Sequence, residues 1–125
     1  MNFEWKEDQP IYRQLRDRMA GSILEGSLKA GDALPSVRTL AVDLQINPLT
    51  ASKAYQELVA EALVEKRRGL GMFVIAGARE RLLKAERAHF LEQEWPAIVE
   101  RVEALGFELA ELAKVGSNTK NGKKS

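Results

Sequence analysis

The sequence predicts a mainly α-helical protein with one small β wing, and three observations carry that prediction. Apolar residues recur at helical spacing in residues 10–25, 36–44 and 48–62. Residues 63–75 break this pattern with a basic run and paired glycines, which is typical of a tight two-stranded hairpin. A second helical stretch follows Gly77, so we expect an N-terminal domain with a helical C-terminal appendage.

The composition fits a folded protein of one small domain and an appendage. The chain has 125 residues, of which 45% are hydrophobic and 30% charged, and it has no cysteine that could form a disulfide or a thiolate metal site. No apolar run is long enough to span a membrane, and the first ten residues lack the apolar core of a signal peptide. We therefore expect a cytoplasmic protein without a membrane partner. The net charge of +1 predicts no partner, so any nucleic-acid argument depends on where the basic residues lie.

The first helix is predicted from about Pro10 to about Glu25, because proline suits a first helical turn and Gly26 suits a helix end. Residues 26–35 have the composition of a loop. Ser36 is a favourable N-cap for a short second helix, since its hydroxyl can accept a hydrogen bond from a free backbone N–H. The inward residues of that helix are expected to be Val37, Leu40, Ala41 and Leu44.

The third helix is predicted to start at Asn47 and Pro48, directly after a turn formed by Gln45 and Ile46. Asn47 caps the helix, and Pro48 occupies the first position, where no amide hydrogen is needed. Proline also keeps the residue before it out of helical dihedral angles, which sharpens this boundary. The apolar face of the helix consists of Ala51, Ala54, Tyr55, Leu58 and Ala62. Together the three helices can close one small core.

Two short strands are predicted on either side of the turn at residues 68–71. Leu63, Met72 and Val74 are expected to face the core, because a two-stranded ribbon is weak unless it packs on helices. A basic hairpin directly after two short helices matches a winged helix-turn-helix, in which the second helix of the pair lies in the DNA major groove. We therefore predict a DNA-binding domain over residues 1–77.

Residues 78–114 are predicted to form a helical dimerisation region. Pro96 is expected to kink or split this helix near Leu91–Glu92, and Gly106 is expected to end it. One further short helix is predicted over residues 107–115. A seam of apolar residues at alternating spacings of four and three resembles a coiled coil. The expected dimer-interface residues are Leu91, Trp95, Ile98, Val102, Leu105 and Leu109.

That apolar seam has two interpretations. It could pack on the N-terminal helices of its own chain, or against a second copy. We favour the homodimer, because the N-terminal core is complete by Val74 and because two-fold symmetry doubles the contacts on a palindromic site. The polar, lysine-rich residues 115–125 are predicted to be a disordered tail.

Four segments in one register resemble the GntR superfamily of bacterial transcription regulators, in particular its YtrA-like branch. They read PIYRQL at 10–15, GD.LPSVR.LA at 31–41, INP.TASKAYQEL at 46–58 and RRG.GMFV at 67–74. The resemblance implies a homodimeric regulator of double-stranded DNA, most often a repressor, with transporter genes among its targets. It also suggests an unidentified small-molecule effector, for which Phe90, Trp95 and Phe107 are candidate contacts.

In the family, an arginine in the first helix of the pair contacts DNA, and the resemblance places this arginine at Arg38. The resemblance places the wing tip at Arg68 and Gly69. By helical geometry alone, Leu49, Ser52, Lys53 and Gln56 lie together opposite the core face of the third helix. The expected DNA-binding residues are Ser36, Arg38, Asn47, Pro48, Leu49, Thr50, Ser52, Lys53, Arg67, Arg68 and Gly69.

Two of these residues have alternative roles. Arg38 can fork onto the O6 and N7 atoms of a guanine or clamp a phosphate, or it can form a surface salt bridge with Asp43 or a nearby glutamate. Leu49 can contact a thymine methyl group, or it can be an ordinary surface leucine.

The sequence offers no catalytic or metal site. His89 is the only histidine, and no nucleophile–base pair or phosphate loop accompanies it, so we expect no enzyme, no metal and no cofactor. The alternative to a DNA-binding regulator is a helical protein-interaction adaptor that keeps the winged fold without reading DNA. A measurement of binding to duplex DNA separates the two functions. The affinity of a regulator falls steeply as the salt concentration rises, whereas an adaptor shows no such binding.

Overall fold

The computed structural model describes residues 4–124, with side chains described for residues 4–117. Helices dominate this part of the chain, and a single antiparallel hairpin interrupts them, which confirms the predicted fold class. The elements are α1 (Ile11–Glu25), α2 (Val37–Leu44), α3 (Pro48–Ala60), β1 (Val64–Arg67), β2 (Gly71–Val74), α4 (Ala78–His89), a π-helical turn (Phe90–Glu94), α5 (Trp95–Ala104) and α6 (Leu109–Lys124).

A compact N-terminal unit extends to Ala85 and is built on the packing of α1, α2 and α3. Ala51 and Ala54 of α3 are fully buried, and side chains this small let a neighbouring helix approach closely. The core is formed mainly by Leu15, Met19, Ile23, Leu40, Leu44, Ala51, Ala54, Tyr55, Leu58, Leu63, Val64 and Val74. This confirms that the three helices share one core.

The predicted starts of α2 and α3 are also confirmed. Ser36 accepts a hydrogen bond from the Thr39 backbone N–H at 3.1 Å, and Asn47 Oδ1 accepts one from the Leu49 N–H at 2.8 Å. Pro10 differs slightly from the prediction: its ψ of 143° is extended, so it is the N-cap of α1 and not a residue of the first turn.

The hairpin pairs Val64 with Val74, and both side chains are buried against the helical core. Residues 31–34 run along the outer edge of β2. The Gly31 N–H donates to the Val74 carbonyl at 2.9 Å, and the Leu34 N–H donates to the Met72 carbonyl at 2.8 Å. This third run of backbone, together with the buried valines, stabilises a ribbon that would be weak alone.

The N-terminal unit includes the first two turns of α4, so it continues past the boundary predicted after residue 77. Ala78 and Leu82 lie on one face of α4, four residues apart, and both are buried in the core. The Arg79 Nε donates to the Leu24 carbonyl at 2.8 Å and Arg81 donates to the Ala62 carbonyl at 2.7 Å. The start of α4 is therefore a structural part of the winged domain.

The C-terminal unit begins at Glu86. Its helix is interrupted just before Pro96, as predicted, by the π-helical turn, in which the Trp95 N–H bonds to the Phe90 carbonyl. Gly106 then ends α5 with a φ of 76°, in the left-handed region that favours glycine.

The structure confirms one prediction about the C-terminal residues and differs from another. Leu109 starts the separate helix expected after Gly106, so the apolar seam is spread over three helical segments. Residues 115–124 have helical backbone, whereas the sequence predicts a disordered tail there. The helix that forms at residues 109–114 can extend into this segment, because each added residue gains one backbone hydrogen bond and no proline interrupts it. No helix among the described residues has the length and apolarity needed to cross a membrane.

Candidate nucleic-acid interface

The position of α3 is fixed by a hydrogen bond to the segment that precedes α2. Tyr55 is buried in the core, and its hydroxyl donates to the Pro35 carbonyl at 2.6 Å. Burial raises the pKa of this hydroxyl, so it stays protonated and continues to donate. The bond holds the start of α2 against the middle of α3, and it sets the geometry of the helix pair.

The outward face of α3 is the face predicted from helical spacing. Leu49 has 78% of its surface exposed, Lys53 and Gln56 are exposed, and Ser52 is half-buried at the edge of a groove. Thr50 is half-buried in the first turn of the helix. The Ser52–Lys53 side of α3 is thus available to a ligand as large as a DNA duplex.

Arg38 lies exposed in the first turn of α2. Within residues 4–117 no carboxylate forms an ion pair with it, so the alternative salt bridge with Asp43 is not made. The guanidinium is therefore free to bind an external acceptor.

Ser36, Asn47 and Pro48 build the starts of the two helices. The Ser36 hydroxyl accepts from the Thr39 N–H and donates to Thr39 Oγ1 at 2.9 Å, and the Asn47 side chain is occupied in its own cap. Pro48 is the first residue of α3. The side-chain polar atoms of Ser36 and Asn47 are thus engaged in capping α2 and α3.

The predicted basic residues of the wing have different surroundings. Arg67 is held on the ribbon: its Nε donates to Glu65 at 3.2 Å, and its guanidinium lies 4.4 Å from the centre of the Phe73 ring. Arg68 and Gly69 occupy the exposed tip, where Gly69 adopts a φ of 77° that lets the turn close. Arg68 is thus the arginine that the hairpin presents at its end.

A groove of about 630 Å³ brings the predicted elements together. It runs between the start of α2, the middle of α3 and the wing. The polar and apolar side chains that line it include Ser36, Ser52, Gln56, Lys66, Leu70 and Met72. Two of the expected DNA-binding residues, Ser36 and Ser52, therefore border one surface with the basic strand of the hairpin.

Two contacts of this surface were not predicted from the sequence. One is the hydrogen bond from the Tyr55 hydroxyl to the Pro35 carbonyl, since the sequence places Tyr55 only on the apolar face of α3. The other joins α3 to α1: the Lys53 ammonium lies 4.1 Å from the centre of the Tyr12 ring. Both contacts join residues far apart in the chain, so helical periodicity gives no signal for them.

The predicted dimer residues are exposed to different extents. Leu105 has 53% of its surface exposed, and Leu91, Ile98 and Leu109 are also exposed. Val102 is only 8% exposed, so most of its side chain is already buried within one chain. Trp95 is half-buried, and its ring lies 6.0 Å from that of Phe90.

His89 has the surface position expected from the sequence. Its Nδ1 lies 3.3 Å from a Glu94 carboxylate oxygen across the π-helical turn. No group of three metal-ligating residues occurs among the residues that the structure describes.

Known proteins resemble this chain over both of its units. Residues 11–74 match the family of bacterial regulatory proteins described as the gntR family. The HTH-type transcriptional repressor YtrA of Bacillus subtilis is 36% identical over 124 residues, which cover 96% of this chain and 95% of that protein.

Solved structures show the same likeness. A GntR-family transcriptional regulator from Bacteroides thetaiotaomicron has a TM-score of 0.72 and 28% identity, covering 90% of this chain and 98% of that one. YtrA from Sulfolobus acidocaldarius, a GntR-family transcription factor, has a TM-score of 0.57 and 33% identity, covering 72% of this chain and 95% of that one.

Proposed function

The chain belongs to the GntR family of bacterial regulatory proteins, and from that premise we propose that it represses transcription as a homodimer on a two-fold symmetric operator. It is a DNA-binding transcription regulator and not an enzyme. The repressor function is supported by the Bacillus subtilis relative YtrA, which is a transcriptional repressor. Repression then follows from simple occupancy of a promoter.

The observation that carries the proposal is the outward face of α3, beside a groove that the start of α2 and the wing also border. A helix in the major groove needs one face that anchors it and another that reaches base edges or phosphates. We assign Arg38 to a guanine or a phosphate, Leu49 to a thymine methyl group, and Ser52 to base or phosphate oxygens. Thr50 donates to a phosphate from the first turn of α3.

The wing and the helix caps complete the proposed DNA contacts. Arg68 reaches the backbone or minor groove from the wing tip, and Gly69 allows that tip a close approach. Arg67 supports the ribbon from its position over the Phe73 ring. Ser36, Asn47 and Pro48 act by orienting the two helix starts toward the duplex.

The homodimer is supported by exposed apolar side chains of the C-terminal unit. Exposed large apolar residues that cluster on one unit commonly mark a protein–protein interface. A symmetric dimer places two winged domains on two half-sites one or more helical turns apart. Leu91, Ile98, Leu105 and Leu109 supply the exposed part of this proposed interface, and the half-buried Trp95 is assigned to it as well.

The targets and the effector rest on the family resemblance alone. We propose transporter genes as targets and a small molecule as the signal that releases the repressor. We also propose a cytoplasmic location, where operator DNA is found.

The DNA-binding function predicts a steep salt dependence. Arg38, Lys53, Lys66 and Arg68 of two protomers would displace about eight counterions, so a plot of log affinity against log salt should have a slope near −7. Fluorescence anisotropy with a labelled duplex measures this slope.

A matched pair of variants controls the salt experiment. Arg68→Gln should reduce the slope by about two, one for each protomer, whereas Arg87→Gln on α4 should leave it unchanged. Absence of DNA binding even at low salt would contradict the proposal and favour the protein-interaction adaptor.

A further inference from the structure

We infer that Tyr12 is a positioning residue for Lys53: its ring holds the lysine ammonium at the α1 side of α3, where it contacts a DNA phosphate and not a base edge. This inference rests on the proposed DNA-binding function. It assigns a role to a residue of α1 that lies outside the helix-turn-helix and the wing.

The contact itself has the geometry of a cation–π interaction. Lys53 Nζ lies 4.1 Å from the centroid of the Tyr12 ring, well within the range of about 6 Å over which a ring face attracts a cation. Among residues 4–117 no carboxylate pairs with Lys53, so the ring is the partner that orients its ammonium.

Tyr12 is a fixed platform for this contact. It lies in the first turn of α1, is half-buried and packs against the hydrophobic core that α1 shares with α3. Lys53 is exposed and extends from α3. A ring anchored in the core restricts a side chain that would otherwise sample many rotamers.

This restriction has two consequences for DNA binding. A lysine already held in one geometry loses less rotamer freedom when it meets a phosphate, which favours binding. The ammonium also keeps donors for phosphate oxygens, since a ring face does not use all three of its N–H groups. Leu49, Ser52 and Gln56 occupy the rest of the exposed face of α3, whereas the ring draws Lys53 sideways toward α1.

The contact can be tested in the free protein. The ring current of Tyr12 should shift the Lys53 Cε protons upfield in the NMR spectrum of the parent and of Tyr12→Phe. Tyr12→Leu keeps apolar bulk without a ring and should abolish the shift. Unshifted Lys53 protons in the parent protein would overturn the inference without any reference to DNA.

The role in DNA binding is tested by a double-mutant cycle with a mixed-sequence duplex three helical turns long. Tyr12→Leu should weaken binding about two- to five-fold, and Tyr12→Phe should leave it unchanged. In a Lys53→Met background, Tyr12→Leu should have no further effect, because the group that it positions is gone.

Three outcomes would overturn the inference. An equal loss from Tyr12→Leu in both backgrounds would mean that Tyr12 acts independently of Lys53, and tighter binding would mean that the ring diverts the lysine from DNA. A loss caused by Tyr12→Phe would mean that the hydroxyl contacts the duplex directly. Circular dichroism melts of each variant verify that the fold persists. A parent protein that binds no duplex would refute the proposed function, while the NMR shift would still test the ring contact.

Discussion

Replacing Arg38 by alanine is expected to weaken operator binding by about 1–3 kcal/mol, or roughly 5- to 150-fold. Arg38 is exposed in the first turn of α2 and has no ion-pair partner among the residues whose side chains are described. Its removal should therefore leave the fold intact, since alanine is also the best helix former. Isothermal titration with operator and mixed-sequence duplexes measures the loss.

Two control variants make the Arg38 result specific. Arg38→Lys keeps the charge but lacks the forked guanidinium, so it should restore phosphate binding without restoring discrimination between sequences. Arg87→Ala removes the same charge from an exposed position of α4 and should have little effect. Equal operator affinity of Arg38→Ala and the parent would remove Arg38 from the proposed interface.

Replacing Leu105 by lysine is expected to convert the proposed dimer to a monomer. Because Leu105 is already about half-buried in one chain, each copy would lose about 1 kcal/mol of apolar burial. Each copy would also place a charge in the interface, and the two-fold axis makes both effects count twice. Sedimentation equilibrium should then give the mass of one chain, 14.0 kDa, in place of two.

The choice of position matters for this test. Leu105 is 53% exposed, whereas Val102 is 8% exposed within a single chain, so a lysine at Val102 would disturb the fold as well as any interface. Val42→Lys is a matched control, since Val42 is 70% exposed on α2 and lies outside the proposed interface. A dimer that survives Leu105→Lys would move the interface elsewhere, and a monomeric parent would refute the proposed homodimer.

The sequence predicts local structure well where one residue decides it. The caps at Ser36 and Asn47, the glycine end of α1 at Gly26 and the interruption before Pro96 each follow from the chemistry of one residue and its neighbours. The outward face of α3 follows equally directly from helical spacing.

Features that depend on distant partners could not be predicted in this way. The bond from Tyr55 to the Pro35 carbonyl and the contact of Lys53 with Tyr12 exist only after the helices have packed. The burial of Val102 within a single chain also depends on the folded structure, although its spacing fits the seam. Periodicity identifies an apolar face but does not identify what covers it.

Footprinting on the DNA upstream of the gene tests the central claim most directly. Two copies of α3 on a symmetric operator should protect two segments related by a two-fold axis, with centres one helical turn, about 34–36 Å, or a multiple of it apart. Arg38→Ala should abolish both protected segments at the same protein concentration. A single unpaired segment would contradict the dimeric arrangement, and protection that Arg38→Ala leaves unchanged would contradict the assigned interface.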